Sequence, residues 1–192
     1  MADSVGKFVR LIARYPGKIL AKTKITPNQI TFLGLLANCV IGVLIAKGQL
    51  SYFTVGILIL VAGFFDALDG SVARITGRSS VFGNFLDSVL DRYADSVIYF
   101  GMLVHFLSLG KTSYVFLIAV AIVGSLMVSY TRAKAESLNA ECEVGLLPRA
   151  VRIIILGAGF CAGQVFWALV IIAALTHLTV VQRMVYVYKK LK

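Results

Sequence analysis

Charge is scarce in this chain. Of its 192 residues, 15% are Asp, Glu, Lys or Arg, where soluble domains carry about 25%. Hydrophobic residues make up 59%, gathered in runs long enough to cross a bilayer, which excludes an ordinary water-soluble domain. Cysteine is sparse and scattered: Cys39, Cys142 and Cys161 form no C-x-x-C, so neither a disulfide framework nor a zinc site follows. The two histidines, His105 and His177, read as interface or packing residues. Internal repeats and low-complexity tracts are absent. Nothing points to a cleaved leader, since the first apolar stretch follows a basic segment and runs past signal-peptide length.

The formal net charge is +10. Its basic residues flank apolar runs, which favours anionic lipid headgroups and phosphate substrates as partners and argues against nucleic acid. We expect one membrane domain over residues 1–192: an all-α integral membrane fold of six transmembrane helices, preceded by an amphipathic juxtamembrane helix. In the interfacial segment, 1–25, Val5, Phe8, Val9 and Ile12 stand apart from Lys7, Arg10, Arg14 and Lys18. The six-helix core covers 26–188, with spans predicted near 26–46, 51–75, 81–108, 113–137, 148–162 and 164–186. The last is followed by the basic tail YKKLK. Six spans place both termini on one side. Sixteen Lys and Arg gather there, against Lys47 and Lys111 on the other. The positive-inside rule makes the rich side cytoplasmic, in a multi-pass cell-membrane protein.

Four aspartates interrupt this pattern. Asp66, Asp69, Asp87 and Asp91 stand between the runs YFTVGILILVAGFF and SVIYFGMLVHFLSL. A carboxylate near a bilayer centre costs about 2.5–3.5 kcal/mol, so four need compensation, and divalent metal is the natural candidate. At 100° per residue, Asp66, Asp69 and Ala73 share one helix side, and Gly83, Asp87 and Asp91 share another. Two helices can thus aim carboxylates into one cavity, the outline of a dinuclear oxygen-ligand site. The alternatives are ion pairs with Arg74 and Arg92, too few to neutralise four carboxylates, or an intramembrane cation transporter.

The spacing D-x2-D-G-x2-A-R-x8-G-x3-D-x3-D is complete here as Asp66, Asp69, Gly70, Ala73, Arg74, Gly83, Asp87 and Asp91. It resembles the signature of the CDP-alcohol phosphatidyltransferases, membrane enzymes of phospholipid synthesis. The resemblance implies two Mg²⁺ ions, with Mn²⁺ as a substitute, held by Asp66, Asp69, Asp87 and Asp91. It makes Asp91 the catalytic base for the acceptor hydroxyl. It also implies a CDP-lipid site of Asn28, Asp69, Gly70, Ala73, Arg74 and Gly83, the small residues admitting the cytidine and Arg74 meeting the diphosphate. A homodimer is implied on the same footing. Asp95 continues the i+4 series, but a drift of about 40° per step turns it away from Asp87, and we read it as a partner behind the site.

The acceptor is read from a second basic cluster. Arg132, Lys134, Arg149 and Arg152 bracket the polar stretch ESLNAECEVGLLP. Arg149 and Arg152 share a helix face at a helix start, where anions are favoured, and arginine forks suit phosphate. The surrounding stretch resembles the phosphatidylinositol-phosphate and archaetidylinositol-phosphate synthases. That implies transfer from a CDP-lipid such as CDP-diacylglycerol to 1D-myo-inositol 3-phosphate, the phosphorylated polyol. Pro148 and Val151 stand where that branch has acidic residues. This departure touches the sugar contacts and keeps glycerol 3-phosphate as the alternative acceptor.

Overall fold

The first helix starts on a reciprocal cap. The Thr26 hydroxyl accepts from the Gln29 N–H, the Gln29 side chain accepts from the Thr26 N–H at 2.9 Å, and Pro27 takes the first helical position. Ser51 and Ser80 cap the next two helices through their hydroxyls. Gly48 and Gly77 close the first two in the left-handed conformation, at φ 63° and 65°.

The computed structural model describes residues 15–16, 18, 26–77 and 80–192, without the side chains of 67 and 69. Among the described residues there are six helices and no strand: α1 Pro27–Lys47, α2 Tyr52–Thr76, α3 Val81–Ser108, α4 Thr112–Ser137, α5 Arg149–Cys161 and α6 Val165–Leu191. The interfacial helix expected over 1–25 lies outside the described residues, apart from Tyr15, Pro16 and Lys18.

Each helix packs against two others, giving a closed ring in the order α1, α2, α5, α6, α4, α3. Glycines bring the helices close. A Cβ on Gly101 of α3 would run into the Gly42 carbonyl of α1, and one on Gly56 of α2 would stand 2.6 Å from the Gly157 carbonyl oxygen of α5. In the pair Gly159 and Gly163, the first packs against Ala168 of α6, while the second, at φ 68°, makes the turn between α5 and α6.

The ring has two unlike ends. At the end bearing the turns after α1, α3 and α5, Phe106 stacks on Tyr114 with ring centroids 4.3 Å apart, and Tyr52 meets Phe160 edge-on at 5.7 Å. Met102, Phe106, Ile118, Leu169 and Ile172 are fully buried in the adjoining core. The opposite end carries Gly77, Ser80 and the loop 138–148. Ala140 and Cys142 of that loop pack with Ala135 beneath Tyr186 and Val187. Arg183 of α6 donates to the carbonyls of Val144 and Val128, and the Thr179 hydroxyl accepts from the Leu147 N–H at 3.2 Å.

The chain is a membrane protein. By length and apolarity, α1, α2, α4 and α6 are candidate spans. The other two helices fall outside that measure. With 13 residues, α5 reaches about 20 Å, short of the hydrocarbon thickness of about 30 Å. At 28 residues α3 is long enough, but Asp87, Asp91, Arg92 and Asp95 lie between its first turns and its middle. One correction concerns α6: it continues through the expected tail to Leu191, with Lys189 and Lys190 in its last turn, where cations suit the helix dipole.

Candidate active site

The carboxylates lie deep in the ring. Asp66 is ten residues from the end of α2 and Asp91 ten residues into α3, each about 15 Å in from the loop end. Because α5 is short, its first residue, Arg149, meets them at that depth. Gly34 of α1 leaves room for them, since a Cβ there would stand 3.3 Å from Asp66 Oδ1.

Arg149 ties three helices together. Its Nη2 is 2.6 Å from Asp66 Oδ2 on α2 and its Nη1 is 2.7 Å from Asp91 Oδ1 on α3. Its Nε donates to Asp95 Oδ1 at 3.0 Å. One turn later on α5, buried Arg152 donates from Nη2 to Asp95 Oδ2 at 3.2 Å and from Nη1 to the Leu147 carbonyl at 3.3 Å. Arg92 stands further off, 3.9 Å from Asp91, and donates to the Ser88 carbonyl of its own helix. Asp87 lies near enough for its charge to act on both Asp66 and Asp91. Among the described residues, the closest partners of Asp66, Asp91 and Asp95 are therefore the arginines of α5, with Arg92, one of the two arginines weighed from sequence, a longer partner of Asp91.

Charge and donor chemistry bear on whether a cation fits. Arg92, Arg149 and Arg152 stand among Asp66, Asp91 and Asp95, with the charge of Asp87 close by, so carboxylate oxygens from α2 and α3 converge in one place. Asp66 and Asp91 reach one guanidinium from different helices, so the two carboxylates face each other across the width of a single small cationic group. An oxygen-only carboxylate set fits a hard divalent ion. Among the described residues no three acidic side chains already form a cage; Asp69, on α2, has a side chain outside the described set.

The other expected residues divide by location. Asn28 opens α1 with its amide oxygen 3.2 Å from where a Gly83 Cβ would stand. Gly70 faces the guanidinium of exposed Arg74, 3.9 Å from its own would-be Cβ, and Ala73 is half-buried on the same helix. The start of α1, the end of α2 and the start of α3 thus bring the expected nucleotide residues to the loop end. The basic cluster divides in two. Arg149 and Arg152 join the carboxylates, whereas Arg132 and Lys134 are exposed on α4, Arg132 paired with Glu136 of its own helix at 2.8 Å.

Two residues escaped the sequence reading. Asn38 and Tyr99, both buried, line with Asp66, Asp95, Arg149 and Arg152 a cavity of about 30 Å³, room for about two water molecules. The signal for Asn38 was available, as a lone amide in an apolar span one turn after Gly34. Tyr99 carries no such mark, because aromatic residues are common in apolar spans.

Comparison with known proteins follows the same lines. A model of the CDP-alcohol phosphatidyltransferases matches residues 24–181. The archaetidylinositol phosphate synthase of Methanothermobacter thermautotrophicus is 39% identical over 194 aligned residues, covering 98% of this chain and 96% of the relative. Among solved structures, the Mycobacterium tuberculosis phosphatidylinositol phosphate synthase with CDP-DAG bound is similar at a TM-score of 0.81 and 25% identity, over 92% of this chain and 94% of that one. The same mycobacterial protein in complex with manganese and citrate gives 0.80 at 25% identity, over 92% and 88% of the two chains.

Proposed function

Because the chain belongs to the CDP-alcohol phosphatidyltransferase family and is a membrane enzyme of phospholipid biosynthesis, we propose that it moves a phosphatidyl or archaetidyl group from a CDP-lipid to 1D-myo-inositol 3-phosphate, with release of CMP. One observation carries this reading: Arg149 and Arg152 border the same cavity as Asp66 and the same ion-pair cluster as Asp91. Groups suited to an acceptor phosphate and groups suited to a metal-bound diphosphate are contiguous. Arginine forks match phosphate oxygens geometrically, and an unphosphorylated alcohol would bring these two no oxyanion. The relatives' names, inositol phosphate synthases with archaetidyl and phosphatidyl products, support the same acceptor class.

In this reading the acceptor hydroxyl oxygen attacks the β-phosphorus of the CDP-lipid, the bond from that phosphorus to the CMP oxygen breaks, and CMP leaves with the bonding electrons. Asp91 takes the hydroxyl proton, a role supported by its contact with Arg149, one of the two arginines assigned to the acceptor phosphate. Arg74, Gly70, Ala73, Gly83, Asn28 and Asp69 receive the nucleotide end. Arg149 and Arg152 orient the acceptor phosphate. Asp66, Asp69, Asp87 and Asp91 would hold magnesium, as two ions replaceable by manganese, which would neutralise charge at the diphosphate; the convergence of carboxylate oxygens from α2 and α3 supports it. All six helices cross the membrane in this proposal, α5 completing its path through the loop 138–148. The basic loop end, with Arg74, Arg132, Lys134 and Lys189, faces the cytoplasm. The protein works as a homodimer, which its mass in detergent checks.

The departures at Pro148 and Val151 favour one second reading, glycerol 3-phosphate as acceptor. Purified protein incubated with CDP-diacylglycerol or CDP-archaeol, with each acceptor in turn, separates the two by the mass of the lipid product. We expect an inositol-phosphate lipid and equimolar CMP, both lost on adding EDTA. A product from glycerol 3-phosphate alone overturns the acceptor. Metal flux through vesicles with no CMP release would revive the transporter reading.

A further inference from the structure

Asp95 belongs neither to the signature nor to the expected metal set, yet both of its oxygens are engaged. Oδ1 accepts from Arg149 Nε at 3.0 Å and Oδ2 from Arg152 Nη2 at 3.2 Å. It follows Asp91 by four residues on α3, and the drift of the helix swings it off the acidic face toward the start of α5. We propose that Asp95 is the positioning residue of the acceptor-phosphate site, a single carboxylate that sets the orientation of both arginines. The proposal rests on the reading of Arg149 and Arg152 given above.

The geometry explains why one residue suffices. With Nε fixed by Asp95, the planar guanidinium of Arg149 has no freedom but to present Nη1 and Nη2 together toward Asp91 and Asp66. Arg152 is clamped from two sides, by Asp95 on α3 and by the Leu147 carbonyl, whose own N–H is held by Thr179 of α6. Without the Asp95 carboxylate, Arg152 keeps one carbonyl partner, and Arg149 is free to settle wholly on Asp66 and Asp91. The acceptor would then lose its receiving groups, and any cation would meet a stronger competitor for the same carboxylates. An asparagine keeps the shape but offers one oxygen; its amide nitrogen opposes whichever arginine it faces.

The test is initial-rate CMP release by the full-length protein in detergent, varying 1D-myo-inositol 3-phosphate at fixed CDP-diacylglycerol and then the reverse, with glycerol 3-phosphate run in parallel. Losing one charge-assisted hydrogen bond should raise the acceptor KM of Asp95→Asn about ten- to a hundredfold, leave the CDP-diacylglycerol KM near wild type and raise the magnesium concentration needed for half-maximal rate. Asp95→Glu, which restores the charge, should bring the acceptor KM back toward wild type. A fall in kcat with both KM values unchanged, an equal rise in both, or glutamate no better than asparagine would overturn the proposal. If Asp95→Asn does not fold, Asp95→Ser, which keeps a small oxygen acceptor without the charge, takes its place: the acceptor KM should rise alone, and an unchanged acceptor KM counts against the proposal. A wild type that uses only glycerol 3-phosphate overturns the inositol assignment, and the Asp95 comparison is then made on that substrate's KM. A wild type that uses only an unphosphorylated alcohol overturns both.

Discussion

The two ends of the helix ring are held by different forces. The aromatic end is closed by Tyr52, Phe106, Tyr114 and Phe160 in edge-on and stacked contacts over a fully buried apolar core. Such packing is non-directional and gains from every close contact. The loop end is held by ion pairs of Asp66, Asp91 and Asp95 with Arg149 and Arg152, and by the hydrogen bonds that fasten the loop 138–148 to α6. Each of those is directional, and each buried charge is costly once its partner is removed. The contrast assigns rigidity to one end and chemistry to the other, with the packed end fixing the helix spacing against which the charged end is set.

Substitutions at the two ends should therefore fail in different ways. The largest change expected is in Asp91→Asn: transfer falls about a hundred- to ten-thousandfold if the residue is the general base, while binding of CDP-lipid persists. Product mass and CMP release check this, and wild-type turnover removes Asp91 from the chemistry. At the aromatic end, Phe106→Ala removes a fully buried ring and should lower stability by about 3–5 kcal/mol. Its KM values for surviving folded protein should stay near wild type, so a selective loss of acceptor affinity would break the contrast. Arg152→Ala should raise the acceptor KM about tenfold or more through loss of charge-assisted hydrogen bonds, with little change for the CDP-lipid. Smallest is Arg132→Ala: exposed and paired only along its own helix, it should cost at most about 0.5 kcal/mol of stability and shift the acceptor KM far less than Arg152→Ala. An Arg132 effect as large as that of Arg152 would rejoin the divided basic cluster.

Much of this architecture was readable from local chemistry. Thr26, Ser51 and Ser80 announce helix starts, Gly48 and Gly77 announce ends, and the helices lie within a residue or two of their expected bounds. The end of α6 was misjudged because a basic run looks like a tail, although lysines in a last turn favour helix continuation. The carboxylates were visible because charge in an apolar span has no cheap structural reason to be there. Their partners were not visible. Asp95 and Arg149 are separated by 54 residues, and no periodicity within one helix reports on the neighbour that faces it in a ring. For the same reason Arg132 and Arg149 looked like one cluster: the loop between them brings them close in sequence, while the fold puts one outside and the other in the centre. The depth of α5 could not be foreseen either, since only packing reveals that a short helix begins halfway into the bundle.

The central claim is that α2 and α3 hold a divalent cation between their carboxylates, beside the arginines of α5. Diffraction from crystals soaked in manganese, recorded at an energy where the metal scatters anomalously, tests it most directly. Anomalous density is expected in contact with Asp66 and Asp91, with Asp69 and Asp87 completing the ligands. Full manganese occupancy elsewhere, with Asp66 and Asp91 still closed on Arg149 and no density between them, would contradict it.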